Sequence, residues 1–223
     1  MAVKLLLNAL VKFLCGIGLV GGLIFLPAGT VNYPNGWLLI GTLFLPILLL
    51  GILLLLKAPD LLKKRLDGKE TERMQKGVVA LSALIFLAGF AVAGLDFRFG
   101  WSTVPTAAVI VATLLFLTAY GLYAEVMREN AYLARTVKVE EGQPVIDTGL
   151  YGIVRHPMYA ATILLFLMMP LILGSWYALL IFLAYPVIIV ARIKNEEAVL
   201  TEQLAGYQEY KKQVRYRLIP FVW

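Results

Sequence analysis

The sequence predicts an all-α integral membrane protein: a multi-span helical bundle of four spans followed by a C-terminal helical hairpin. Three observations predict it. Only 15% of the 223 residues are charged, against about 25% in soluble domains. Apolar residues make up 61% of the chain, and its mean hydropathy is +0.82. Apolar runs of about 20 residues recur, which is the length that crosses roughly 30 Å of hydrocarbon.

The runs follow in order. Leu5–Leu26 is the first span. Its start, with Lys4 and Lys12, imitates a signal peptide, but the run is long for one and no clear small-x-small cleavage site follows. The single cysteine, Cys15, lies inside this span and is expected to pack there. Trp37–Leu56 is the second span, Val78–Leu95 the third and Val104–Met127 the fourth. The last apolar block, Met158–Ile193, is too long for one crossing and is cut by Gly174-Ser175-Trp176, so it reads as a helical hairpin. Its arms of about 16 residues reach roughly 24 Å, and Pro170 and Pro186 are expected to bend them. The stretch Lys57–Lys76 reads as a plain basic loop.

Charge supplies the orientation. With the N-terminus in the cytoplasm, the basic residues of Lys57–Lys76, of the connector after Met127 and of the C-terminus all fall inside, and only Arg98 of the 20 Lys and Arg falls outside. That is the positive-inside asymmetry, and Trp37, Trp101 and Trp176 then form an outer aromatic belt. The net charge of +6 reports topology and anionic lipid, with no call for nucleic acid. One histidine and one cysteine exclude most metal chemistry, because zinc and similar sites draw three or four ligands from His, Cys and carboxylates. No metal ligands are assigned. Gly16-Ile17-Gly18-Leu19-Val20-Gly21 spells a dinucleotide fingerprint, but it lies within an apolar helix and lacks the strand–turn–helix setting the motif needs. Gly18 and Gly22 read there as a helix-packing pair.

The polar side chains suited to chemistry gather in the last third. Arg128–Pro157 leads into the hairpin through "GQPVIDTGLYGIVRHP", whose glycines and prolines are turn-formers. Arg192 and Glu196, four apart, share a face of the returning helix. A hairpin brings its two feet together, so His156 and the Arg192/Glu196 pair are expected at one membrane boundary. Spacing alone leaves two readings open: a site, or a snorkelling Arg155, a helix-opening Pro157 and a solvated helix exit.

The stretches "TGLYGIVRHPMY", "LILGSWYALL" and "RIKNEEAVLTEQLAGYQEYKKQVRYRLIP" resemble the isoprenylcysteine carboxyl methyltransferase family, in its prokaryotic-type membrane branch. "PAGTVNYPNGW" and "LDFRFGWSTVP" in the earlier loops extend the likeness. The combination R-H-P-x-Y, R-x-x-x-E-E and G-Y-x-x-Y is its specific part; R-H-P-x-Y alone is shared with phospholipid N-methyltransferases and sterol reductases. Residues 1–127 hold the four transmembrane helices, and the resemblance implies 128–223 as the catalytic region of the same membrane domain. It implies S-adenosylmethionine bound on the cytoplasmic face by Gln143, Pro144, Val145, Ile146, Tyr151, His156, Pro157, Met158 and Tyr159, with a further contact near Thr136. It implies Arg192 and Glu196 at the reacting end, and structural or cofactor-closing roles for Glu197, Tyr207 and Tyr210. The implied acceptor is lipid-like or prenylated. A carboxylate acceptor needs a cation such as Arg192; an amine acceptor needs a base such as Glu196; an NADPH-dependent reductase is the third class the shared signature allows. In a prokaryotic host the membrane would be the cell (inner) membrane.

Overall fold

A computed structural model of the chain describes residues 2–66, 73–133, 139 and 141–223. Among them the regular elements are helices: α1 (Ala2–Ala28), α2 (Pro34–Lys57), α3 (Pro59–Leu66), α4 (Arg73–Phe99), α5 (Thr106–Glu129), a 3-10 turn (Gly149–Gly152), α6 (Pro157–Leu173), α7 (Trp176–Phe182), α8 (Ala184–Gln203) and α9 (Tyr207–Gln213). Five stretches are long and apolar enough to cross a membrane: 4–28, 34–57, 76–99, 106–129 and the combined 176–203. The 17-residue α6 adds a sixth, shorter apolar helix of about 26 Å.

The predicted hairpin forms, with one difference. Its return arm divides at Leu183 into α7 and α8. Pro186 carries no N–H for the carbonyl of Phe182 and its ring crowds that turn, so the ladder is interrupted there. Pro157 opens α6 at its first turn as expected, where a missing N–H costs nothing. The basic loop also differs. Pro59–Leu66 is helical, with Leu61 and Leu62 buried and Lys63 exposed.

The loops at one end of the bundle, opposite the predicted site, are tied tightly. Asp96, 1% exposed, accepts the Ser102 amide at 2.7 Å, the Ser102 hydroxyl at 2.6 Å and the Ser175 hydroxyl at 2.5 Å. Tyr33 donates its hydroxyl to the Leu173 carbonyl. Gly174, at φ +83°, ends α6 in the left-handed region, where a Cβ would be strained. These bonds fix the depth of the hairpin turn, and therefore where its other end stands.

Packing between spans uses different glycines from those the sequence suggested. Gly94 of α4 lies against α1, where an added Cβ would stand 2.5 Å from the Ile24 carbonyl oxygen; Gly89 faces the Phe182 ring. A Cβ on Gly18 would meet nothing within 4 Å. Cys15 is exposed on the outer face of α1, so it is not a core residue. Phe86, Phe90, Phe166, Phe182 and Tyr185 form the aromatic centre, with Phe166 and Tyr185 ring centroids 4.4 Å apart.

Candidate active site

The two feet of the hairpin meet at the end away from the Asp96 knot. There the first turn of α6 faces the middle of α8 around a buried ion cluster. Arg155 Nε donates to Glu197 Oε1 at 2.7 Å, Arg217 Nε donates to Glu197 Oε2 at 2.8 Å, and His156 Nε2 lies 3.3 Å from Oε1. Arg155 is 7% exposed and Glu197 5%; Arg155 is therefore a buried tie, not a snorkelling chain. Its Nη1 also donates to the Val214 and Arg215 carbonyls at 2.7 and 2.8 Å. The amides of Arg155 and His156 donate to the Tyr216 and Arg217 carbonyls, each at 2.9 Å. The C-terminal strand of chain thus straps the Arg-His-Pro turn in place. With its Nε2 held on Glu197, the His156 ring also lines the cleft.

On the next face of α6, Tyr159 joins the two residues expected to react. Arg192 Nε donates to the Tyr159 hydroxyl at 2.7 Å, and that hydroxyl donates to Glu196 Oε2 at 2.5 Å. The 3-10 turn is set from below by Glu129, which accepts the Leu150 amide at 3.0 Å and leaves no room for a side chain at Gly149, φ +52°. Asn130 donates to the Tyr151 hydroxyl at 3.0 Å, and Tyr210 donates to the Tyr151 carbonyl at 2.8 Å. Burial pushes the Tyr151 phenol up to about 12, so it stays neutral at any working pH and acts by hydrogen bonding alone.

These groups wall a cleft whose empty space, open mouth included, is about 840 Å³. Gln143, Pro144, Val145, Ile146, Tyr151, His156, Met158, Tyr159, Arg192 and Glu196 all line it. Pro157 does not; it serves to start α6. Thr136 lies outside the described residues. Asn130, Tyr132, Leu133, Leu200 and Leu204 also line the cleft and were not anticipated; no motif marks them. Tyr207 and Tyr210, which the G-Y-x-x-Y motif did mark, complete it. The Tyr207 hydroxyl is buried and, among the described residues, has no hydrogen-bond partner. A buried polar group in that state costs about 1–3 kcal/mol unless something satisfies it.

A second cavity adjoins the first. It is an apolar groove between α1, α4, α6 and α8, lined by residues such as Val20, Phe86, Phe90 and Ile189, and it shares Met158, Tyr159 and Arg192 with the cleft. α1 and α4 touch at Gly94. The exposed side chains of Leu19, Val79 and Leu87 rim the groove.

Residues 109–202 match the family described as the isoprenylcysteine carboxyl methyltransferase (ICMT) family. A stretch of 91 residues, 40% of this chain, is 32% identical to the Delta(14)-sterol reductase TM7SF2 of Mus musculus. The chain spans about a fifth of that relative's length, the match covering 22% of it.

Proposed function

We propose that the chain is an S-adenosylmethionine-dependent membrane methyltransferase that acts on the carboxylate of a lipid-like or prenylated acceptor. One observation carries the reading: a polar cleft and an apolar groove meet at a single wall, Met158–Tyr159–Arg192. Such a wall lets a water-borne cofactor and a membrane-borne acceptor approach each other. The family match over residues 109–202 supports the same class.

The residues present fit the cofactor. Tyr207 lines the cleft, and its buried hydroxyl has no hydrogen-bond partner among the described residues. Val145, Ile146 and Tyr151 offer an apolar and aromatic slot for a base. Gln143 and His156 offer polar groups for the amino-acid end. When bound, S-adenosylmethionine supplies a methyl group on a sulfonium, with its leaving group attached. The protein's own task is alignment and exclusion of water. Arg192 is the cation for an acceptor carboxylate, which is ionised at neutral pH and needs no base. Glu196, through the Tyr159 hydroxyl, holds the Arg192 guanidinium in one orientation. An amine acceptor would need Glu196 as its base, and Glu196 is already engaged by Tyr159. The charge asymmetry of the loops supports a cleft on the cytoplasmic side.

The division of roles is testable in purified protein. His156→Ala is expected to weaken S-adenosylhomocysteine binding at least tenfold. Arg192→Ala is expected to leave that binding within threefold while abolishing methylation of a prenylated carboxylate. Equal loss of cofactor affinity in both variants contradicts the assignment. A second reading, an NADPH-dependent reductase of a lipid double bond, is favoured by the likeness to the mouse sterol reductase. In it the groove would take the lipid and the cleft the nicotinamide.

A further inference from the structure

The two successive leucines of α3 serve different neighbours. Leu61 is buried in a cluster with Val126, Met127 and Tyr151. Leu62 lines an apolar groove against α1 and α2, and so does Leu66, one turn further on; residues four apart share a helix face. The walls of this groove include Phe13 and Phe44, packed edge to face with centroids 5.7 Å apart. Gly51 lines it too, and an added Cβ there would meet nothing within 4 Å. A polar cavity continues the groove. It is lined by Asn8, Lys12, Asp60, Lys63 and Lys64, and it shares Lys12 and Leu66 with the groove.

Lys12 joins the two parts. It stands eight residues beyond Lys4, the start of the first apolar span, so it lies about 12 Å along α1. Its ammonium donates to the Leu66 carbonyl, at the end of α3 where the helix dipole favours a cation. The stem can thus lie along apolar surface while the head stays at the polar boundary. Among the described residues of the polar cavity, three ammonium groups, Lys12, Lys63 and Lys64, stand against one carboxylate, Asp60. Lys63 is exposed, and Lys64 lies over the Tyr132 ring, 5.4 Å from its centroid.

An apolar slot that opens into a net-positive pocket matches an acyl chain that ends in a phosphodiester. We propose that α1, α2 and α3 bind an anionic diacyl glycerophospholipid, one acyl chain in the groove and the phosphate on Lys12 and Lys63. In the proposed orientation the site faces the cytoplasmic leaflet, where basic pockets between spans take anionic head groups. It shares no lining residue with the groove between α1, α4, α6 and α8, and it does not depend on which reaction the cleft performs.

The test is native mass spectrometry of the detergent-purified full chain, titrated with phosphatidylglycerol or with phosphatidylcholine carrying the same acyl chains. Wild type is expected to bind the first phosphatidylglycerol at least fivefold more tightly than the first phosphatidylcholine. Lys12→Gln combined with Lys63→Gln is expected to remove most of that preference; glutamine at position 12 keeps an N–H donor, so the variant deletes charge before it deletes a donor. Lys211→Gln combined with Lys212→Gln, on α9, makes the same change in net charge and is expected to leave the preference within twofold. Gly51→Phe puts a ring into the groove and is expected to weaken the first phosphatidylglycerol at least fivefold, while leaving glycine favours the helix. Three results overturn the proposal: no preference in wild type, an equal loss in the α9 control, which would make the preference a net-charge effect, or undiminished binding in Gly51→Phe, which would put the lipid elsewhere. The lysine pair and Gly51 act through different contacts, so a lowered melting midpoint in one variant leaves the other to decide. No cofactor enters the measurement, so failure of the methyltransferase reading and failure of the lipid site are told apart.

Discussion

Glu197 is the residue on which the site's geometry depends most. Three basic side chains from two separate parts of the chain, Arg155, His156 and Arg217, converge on its two oxygens. Removing it leaves two arginines facing a buried vacancy, so Glu197→Ala is expected to cost about 3–5 kcal/mol. The check is a thermal or denaturant unfolding curve in detergent; an unchanged midpoint contradicts the role. Its neighbour Glu196 does different work, since it reaches Tyr159 and the cleft. The R-x-x-x-E-E spacing made both glutamates visible in the sequence, but only the structure separates them. Arg192, Glu196 and the stretch 143–159 were legible because the resemblance named them. Asn130 and Leu200 were not, because a polar residue at a helix end and a leucine in an amphipathic helix carry no signal until the fold turns them toward a cavity. Arg155 and Arg217 were hidden for a related reason: their partner is distant in sequence, and a basic residue near a membrane boundary reads first as a lipid contact.

At the scale of elements, apolar length located the membrane-spanning helices, and Pro157 and Gly174 marked both ends of α6. One element was misread, and another, expected to bend at Pro186, is divided there. α3 is short and rich in lysine, so hydropathy hides it, although Leu61 and Leu62 give it a buried side. The return arm of the hairpin reads as one apolar run, and only the backbone consequence of Pro186 divides it. Glycine spacing also misled. Gly18 and Gly22 fit a helix-packing pattern, yet the close approach of α1 and α4 is made by Gly94, which belongs to no such pattern. Gly94→Ala is therefore expected to destabilise the bundle by about 1–3 kcal/mol, as overpacking does. Gly18→Ala is expected to be neutral or slightly stabilising, since alanine favours helix. Paired melting curves of the two variants compare them directly, and a larger loss at Gly18 contradicts the packing.

For the whole molecule, the order of α1, α2, α4, α5, α6 and the α7–α8 arm brings the chain back to the end where the site stands. The loops at the other end are knotted by Asp96, Tyr33 and Ser175, while the site end carries the connectors, the strap and the cleft, and the apolar groove runs along the spans from there. In the proposed orientation both termini are cytoplasmic. Reporter fusions at the N-terminus and at the C-terminus are expected to give the same, cytoplasmic, signal; opposite signals contradict an even number of crossings. One end rigid and the other open suits a protein that must admit a polar ligand from water and an apolar one from the bilayer without taking the bundle apart. Calorimetric titration of the detergent-purified protein with S-adenosylhomocysteine, with NADPH titrated in parallel, tests that reading most directly. Micromolar binding of S-adenosylhomocysteine with no heat from NADPH is the predicted result. Binding of NADPH with none of S-adenosylhomocysteine would contradict it, and would turn the cleft over to the reductase reading.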